Sequence, residues 1–270
     1  MTSLTTQRSH STAPNILVER RDGVAIVQLN RAHVRNPLGL DFIDDMLRIL
    51  DELENDDDIF AVILTGVGSV FCAGAELDKA VQPDGLDSEK RFRNLRGYNK
   101  VVQRIRDLDL PVIAAVNGPA VGGGVALALA CDIAIAAEDA SYYFAFGRIG
   151  VCSADMGCAY FLPKIVGTVR AKHWLLTGAV IKAEQGMSAG LFVDVVARDV
   201  LIPRALEIAQ SIKTATPRRA AAATKLAVVR GEDADLQTCI TYEAYVQNYF
   251  FTTDDHKNRL RAFMEQRKKK

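Results

Sequence analysis

Residues 117–127 have the sequence NGPAVGGGVAL, and residues 71–77 have the sequence FCAGAEL. Each stretch follows a short apolar run, and each contains a glycine-bearing turn that leads toward a helix-forming segment. The first N–H groups of a helix have no partner inside the helix, so a turn of this kind leaves backbone donors free. Two such donors directed at one oxygen form an oxyanion hole. These two turns therefore decide both the fold and the predicted chemistry.

Strand-like and helix-like segments alternate around the two turns. The predicted strands are 24–30, 61–65, 111–116 and 132–136. The predicted helices are 39–55, 91–108 and 123–130. This order predicts an α/β fold with right-handed crossovers and with helices that cover the sheet. The charged segment 81–90 contains a proline and a glycine, and we expect it to be an exposed loop.

The last third of the chain is predominantly helical. The predicted helices beyond Asp155 are 160–167, 171–176, 203–215, 217–229 and 235–270. Amphipathic helices in this number must cover an apolar surface, either of their own domain or of a neighbouring subunit. We therefore divide the chain into a disordered leader at 1–15, a core at 16–200 and a helical C-terminal region at 201–270.

Composition narrows the classes of function. The chain has 270 residues, of which 49% are hydrophobic, so it can bury the core of one large domain. Its 33 basic and 33 acidic residues are interspersed, which argues against a nucleic-acid surface. No apolar stretch suits a membrane span, and the polar leader lacks the apolar segment of a secretory signal. Five cysteines without CxxC spacing and four scattered histidines predict a reduced, cytoplasmic protein without a metal site.

The two turns resemble those of the enoyl-CoA hydratase/isomerase (crotonase) superfamily. The resemblance rests on their order and spacing, on Asn117-Gly118 before the three glycines, and on the sequence ACDIA at 130–134 after them. It extends through nearly the whole chain from Val18. It implies a spiral of ββα units whose C-terminal region packs at subunit contacts, in a homotrimer or a homohexamer. It also implies an acyl-CoA substrate, with coenzyme A present as part of that substrate and no separate cofactor.

The resemblance assigns roles to particular residues. In the superfamily, two backbone N–H groups hold the thioester oxygen and stabilise its enolate, and by motif position these belong here to Ala75 and Gly123. The implied contacts with CoA or its acyl group are Arg35, Ala73, Ala75, Glu76, Leu77, Asp78, Gly122, Gly123 and Phe146. Two of these have an alternative interpretation: Glu76 as an acid in the first turn of a helix, and Arg35 as a solvent-facing cation.

One departure from the superfamily bears on mechanism. Members that hydrate simple enoyl-CoAs have two glutamates, at places that hold Ala126 and Phe146 in this chain. Neither side chain can move a proton, whereas hydration needs a base for the water and an acid for the α-carbon. Asp155, in the sequence GVCSADMG at 150–157, resembles the acid of enoyl-CoA isomerases and of some unusual hydratases. Asp155 is therefore the predicted proton carrier, with a helix N-cap as its alternative role.

Several activities are compatible with these residues. Double-bond isomerisation of an enoyl-CoA is the leading expectation, followed by atypical hydration with the same single aspartate. The alternatives are hydrolysis or C–C cleavage of a cyclic or β-keto acyl-CoA, and a catalytically inactive binding protein that uses the lysines at 268–270. Tyr98, Tyr142 and Tyr143 are secondary candidates for pocket hydroxyls, with core packing as the alternative.

Overall fold

The computed structural model describes residues 14–76 and 87–268. Nine strands form two sheets in this part of the chain, and ten α-helices accompany them. The strands are β1 (Ile16–Arg21), β2 (Val24–Leu29), β3 (Ala61–Gly66), β4 (Val112–Val116), β5 (Pro119–Val121), β6 (Ile133–Ala137), β7 (Ser141–Tyr143), β8 (Val180–Lys182) and β9 (Asp194–Val196).

The helices alternate with the strands and then continue alone to residue 268. They are α1 (Asp41–Glu54), α2 (Ser88–Asp107), α3 (Gly123–Ala130), α4 (Cys158–Val166), α5 (Thr168–Thr177), α6 (Ala183–Ser188), α7 (Leu201–Ala215), α8 (Arg218–Gly231), α9 (Leu236–Phe251) and α10 (Asp254–Lys268). The α/β class with a helical C-terminal region is therefore confirmed.

The larger sheet has six strands in the order β1-β2-β3-β4-β6-β9. Only β1 is antiparallel to its neighbour, and the remaining pairs are parallel. Every residue of β3 and β4 is buried, because helices cover both faces of a parallel sheet. The smaller sheet has the order β5-β7-β8, and its first strand lies between Asn117 and the three glycines of the second turn. The chain passes from the carboxyl end of β3 through residues 67–70 to the first turn, and from the carboxyl end of β4 straight into the stretch that carries the second turn.

The C-terminal helices differ in what they cover. Helix α7 packs on β3, β4 and β6 through Leu201, Ala205 and Ala209, which lie four residues apart on one face. Helices α9 and α10 have no buried residue in the single chain, although they carry large apolar side chains. In the described part of the chain, no helix combines the length and the apolarity needed to cross a membrane.

The predicted strands and helices of the core are confirmed, with one boundary error. Residues 88–90, predicted as loop, form the first turn of α2, where the Asp87 carboxylate accepts the Glu89 N–H at 2.7 Å. The rest of the predicted loop, 81–86, lies outside the described residues, as does most of the predicted leader. The domain boundary at residue 200 stays a prediction.

Candidate active site

The first turn runs beside residues 35–38. The N–H groups of Ala73 and Glu76 both donate to carbonyls of this segment, at 3.0 and 3.1 Å. In a regular strand, groups three residues apart point in opposite directions, so the alternation is broken between them. The break is at Gly74, whose φ of 84° lies in the left-handed region that glycine adopts without strain. The Leu38 N–H donates to Gly74 O at 2.8 Å, and the Ala75 N–H lies on the opposite side of that same trans peptide group, so it points away from residues 35–38.

The second turn ends at the first residue of α3. Gly122 is the N-cap, with a φ of 51°, and no side chain caps the helix. Gly123 is the first helical residue, so its N–H has no acceptor inside the helix. The positive end of the helix dipole lies at the same place. An anionic oxygen at the N-terminus of α3 would be stabilised by both.

The two turns lie side by side. The Val121 N–H donates to Cys72 O at 2.8 Å, which ties the second turn to the first. A Cβ added at Gly74 would lie 2.7 Å from Val121 O and 3.5 Å from Gly123 N. Because a Cα–Cβ bond is about 1.5 Å long, the Gly74 Cα lies within about 5 Å of the Gly123 nitrogen. The Ala75 N–H belongs to the next peptide group, so the two predicted donors are close in space.

Tyr98 forms a hydrogen bond with residues 35–38, the segment that pairs with the first turn. Its hydroxyl donates to Leu38 O at 2.9 Å, and the same carbonyl accepts the Glu76 N–H. Burial raises the pKa of Tyr98 to about 12, and the neighbouring Glu76 carboxylate acts in the same direction. The hydroxyl therefore remains protonated, and so remains a donor, at neutral pH. Tyr98 supports the backbone that carries Ala75.

Two buried asparagines fix the loop that leads into the first turn. Asn36 is 1% exposed, and its amide donates to the carbonyls of residues 67 and 70 at 3.0 and 2.8 Å. Asn117 accepts the Gly66 N–H at 3.0 Å and donates to Gly68 O at 2.9 Å. Neither role was predicted from the sequence, although each asparagine lies within or beside a motif that carries the resemblance.

Three buried apolar side chains surround the glycines of the second turn. A Cβ added at Gly123 would lie 3.0 Å from Met156 Sδ and 3.1 Å from a methyl group of Leu38. A Cβ added at Gly122 would lie 3.6 Å from the Phe146 ring. An acyl group whose oxygen is bound at Gly123 would therefore lie among hydrocarbon and a thioether. Charge that develops there meets little competition from water, so the backbone donors act more strongly.

The two places for which the resemblance implies glutamates are both buried. Ala126 lies in α3, one turn after Gly123, and is fully buried. Phe146 lies in a short 3-10 helix (Ala145–Ile149) and is 8% exposed. Neither side chain can take a proton from a water molecule.

Asp155 is not the N-cap of the following helix. Helix α4 begins at Cys158, and its N-cap is Gly157, with a φ of 86° and no side-chain cap. The Asp155 carboxylate instead accepts the Met156 N–H at Oδ1, at 2.8 Å. Among the described residues, Oδ2 has no hydrogen-bond partner. The alternative role predicted for Asp155 is therefore wrong, and one carboxylate oxygen is available for proton transfer.

The predicted CoA contacts in and beside the first turn differ in their burial and in their ion pairs. Glu76 forms a two-pronged ion pair with Arg31, at 2.9 and 3.2 Å, with both side chains largely covered. Arg35 is exposed, with a φ of 67°, and it has no carboxylate partner in the described ranges. Leu77 and Asp78 lie outside the described residues. The CoA contacts of all four stay predictions.

The other reactive side chains near the turns are poor nucleophiles. Burial raises the pKa of the Cys72 thiol to about 12. Burial also raises the pKa of Cys158 to about 12, and the neighbouring Asp155 carboxylate adds to that shift. Both thiols therefore stay protonated at neutral pH. Within residues 14–76 and 87–268, no group of three or more His, Cys, Asp or Glu side chains is placed to hold a metal ion.

Comparison with known proteins agrees with this arrangement. Residues 19–270 match the family model described as enoyl-CoA hydratase/isomerase. The chain is 36% identical over 255 residues to a short-chain-enoyl-CoA hydratase of Clostridium acetobutylicum, covering 94% of this chain and 96% of that protein. It is 34% identical over 253 residues to the 1,2-epoxyphenylacetyl-CoA isomerase of Escherichia coli, covering 93% and 96%. A solved enoyl-CoA hydratase structure from Bacillus anthracis superposes with a TM-score of 0.88 at 33% identity, covering 94% of this chain and 97% of that one.

Proposed function

Because the chain belongs to the enoyl-CoA hydratase/isomerase family, we propose that it moves the double bond of an enoyl-CoA. In this proposal the Ala75 and Gly123 N–H groups hold the thioester oxygen, and Asp155 carries the proton. The observation that carries the choice of isomerisation is that Ala126 and Phe146, at the two places for which the resemblance implies glutamates, are buried and apolar, whereas Asp155 keeps one carboxylate oxygen without a hydrogen-bond partner among the described residues.

The two backbone donors supply the electrostatic part of the reaction. When a proton leaves C2 of a 3-enoyl thioester, negative charge develops on the thioester oxygen. Two preorganised N–H groups and the N-terminus of α3 stabilise that charge without rearranging. The loss of one such donor typically costs about 3–4 kcal/mol of barrier, so the pair accounts for a large share of the rate.

One aspartate is sufficient for both proton transfers of the isomerisation. The Asp155 carboxylate takes the proton from C2, which leaves a dienolate whose charge is on the thioester oxygen. The resulting carboxylic acid returns a proton to C4, the C3–C4 double bond becomes C2–C3, and the aspartate is again ionised. The reaction uses no redox partner, and coenzyme A enters only as part of the substrate.

Hydration is the second candidate, favoured by the 36% identity with the short-chain-enoyl-CoA hydratase. In that case Asp155 would have to take a proton from water at C3 and deliver a proton to C2. Ala126 and Phe146, buried at the places for which the resemblance implies glutamates, cannot share those two tasks.

Product analysis distinguishes the two reactions. The protein is incubated with matched 2-enoyl- and 3-enoyl-CoA thioesters, and the products are separated and weighed by mass spectrometry. Isomerisation interconverts the pair with no change in mass, and this is the result that we expect. A product heavier by one water, formed faster than the isomer, would replace isomerisation by hydration. The free acids serve as controls and should be neither bound nor converted.

We also propose that the chain assembles as a homotrimer or a homohexamer. The apolar side chains that α9 and α10 expose are Leu236, Ile240, Tyr245, Tyr249, Phe251, Leu260, Phe263 and Met264. A monomer rarely leaves large apolar patches in water. A neighbouring copy that covers it would remove that cost.

A further inference from the structure

Met156 has a backbone conformation that its residue type disfavours. Its φ is 48°, in the left-handed region, where a Cβ crowds the backbone. The other non-glycine residues with positive φ in the described ranges are Asp22, Arg35 and Asn36, all of which are polar. Met156 is 6% exposed, and its side chain can form no local hydrogen bond to offset the strain. A strained residue that persists beside a reactive group is a reason to look for a function.

The side chain of Met156 lies against the predicted oxyanion hole. Its Sδ and Cε would lie 3.0 and 3.8 Å from a Cβ added at Gly123. Since the N–Cα and Cα–Cβ bonds are each about 1.5 Å long, Sδ lies within about 6 Å of the Gly123 nitrogen. The thioether therefore reaches the donor even though its own Cα belongs to the Asp155 loop.

A bound acyl group would occupy the same region. An oxyanion lies about 2.7–3.1 Å from its donors. The α-carbon C2 is two bonds beyond that oxygen, and so lies within about 6 Å of the Gly123 nitrogen. C2 and the Met156 thioether therefore both lie within about 6 Å of the Gly123 nitrogen.

We propose that Met156 is a specificity-determining residue that excludes acyl-CoA thioesters branched at C2. This inference rests on the proposed acyl-CoA function and adds to it the class of acyl group that the site accepts. Glycine at position 156 would adopt the same φ without strain and would keep the N–H that holds Asp155. The side chain is therefore the only part of Met156 that glycine could not replace. An unbranched, flexible thioether can move aside for a flat, linear chain, but it leaves no room for a fixed branch.

The test compares two non-reacting ligands, butanoyl-CoA and 2-methylbutanoyl-CoA, by calorimetry. One methyl group in a closed pocket changes affinity by about 10–200-fold. The wild-type protein should accordingly bind the linear thioester at least about tenfold more tightly. Met156→Gly, which removes the side chain and relieves the strained φ, should bring the two affinities to within about threefold.

Two further variants keep the test decisive. Met156→Ala removes the thioether but keeps a Cβ, so it should narrow the preference in the same way if Met156→Gly fails to fold. Met156→Leu fills the same space and should keep the preference for the linear thioester. Thermal melting of each variant reports whether it is folded before its affinities are compared.

Three results would overturn this inference alone. A wild-type protein that binds both thioesters equally contradicts it, as does an unchanged preference in both Met156→Gly and Met156→Ala. Loss of the preference in Met156→Leu, which keeps a side chain of similar size, would show that the preference depends on the loop conformation and not on side-chain bulk. A wild-type protein that binds neither thioester would instead overturn the proposed function itself, and this inference with it.

Discussion

The Met156 N–H donates a 2.8 Å hydrogen bond to Oδ1 of Asp155. The bond joins adjacent residues, so the backbone of the loop itself orients the carboxylate and leaves Oδ2 as the oxygen that can exchange a proton. The same loop carries the Met156 thioether to Gly123. One short segment thus links the predicted proton carrier to the predicted oxyanion hole, and each part can be tested separately.

Asp155→Asn should lower kcat by about 10²-fold or more, because asparagine cannot accept and return a proton. Its amide oxygen can still accept the Met156 N–H, so the melting temperature should stay near that of the wild type. Steady-state kinetics and differential scanning calorimetry give the two values. A variant with normal kcat would show that Asp155 is not the proton carrier.

Gly123→Pro should lower kcat by about 10²–10³-fold, because proline has no N–H to donate to the thioester oxygen. Gly123 is the first residue of α3, a position at which proline fits a helix. Gly123→Ala is the matched control, since it places a Cβ against the same Met156 and Leu38 side chains as proline does but keeps the N–H.

Circular dichroism should show both Gly123 variants folded, with the alanine variant much the more active of the two. Equal activity in the proline and alanine variants would remove the Gly123 N–H from the mechanism.

Tyr98→Phe should lower kcat more than it raises KM, because the Tyr98 hydroxyl supports the segment that pairs with Ala75. The lost hydrogen bond is worth about 1 kcal/mol, which corresponds to roughly 2–4 °C in melting temperature. The infrared frequency of a bound thioester carbonyl should move toward its value in water, which a purely structural role would not cause.

Tyr142→Phe is the control for Tyr98→Phe. The Tyr142 hydroxyl is buried and has no hydrogen-bond partner among the described residues, so its removal should leave both kcat and the carbonyl frequency unchanged. If the two phenylalanine variants behave alike, Tyr98 has no role in positioning the first turn.

Tyr245→Glu should dissociate the assembly, because Tyr245 is 76% exposed in the single chain and lies on α9 among other apolar side chains. Burial of an unpaired carboxylate at a subunit contact is costly. Light scattering should find a trimer or a hexamer for the wild type and for Tyr245→Phe. A wild-type monomer at micromolar concentration would refute the proposed assembly.

The parts of the site that depend on backbone chemistry could be predicted from the sequence. Two glycine turns of the same construction predict a pair of exposed backbone donors, and the assignment of these donors to Ala75 and Gly123 comes from the family resemblance and stays a prediction. The long apolar segments predicted the core strands and helices correctly. Strands β5, β7, β8 and β9 were missed because three residues are too few to show an alternating pattern, and β1 was missed because its sequence, ILVERR, has three apolar residues followed by three charged ones.

The side-chain environment of the site was harder to predict. Asp155 resembled an N-cap because it precedes a helical pattern. The helix begins only at Cys158, however, and its N-cap is Gly157, whose φ lies in the left-handed region. In the sequence, Met156 and Tyr98 cannot be distinguished from ordinary core residues. Their roles depend on a φ of 48° and on one hydrogen bond to Leu38 O, and neither leaves a signal in a single sequence.

The most direct test of the proposed mechanism is exchange of the C2 proton of a 3-enoyl-CoA in D₂O, followed by proton NMR. Enolate formation between Ala75 and Gly123 with Asp155 as the base predicts rapid exchange with the wild-type protein. It also predicts that Asp155→Asn and Gly123→Pro each slow the exchange by about 10²-fold or more while the thioester still binds. Exchange at the wild-type rate in Asp155→Asn would contradict the account.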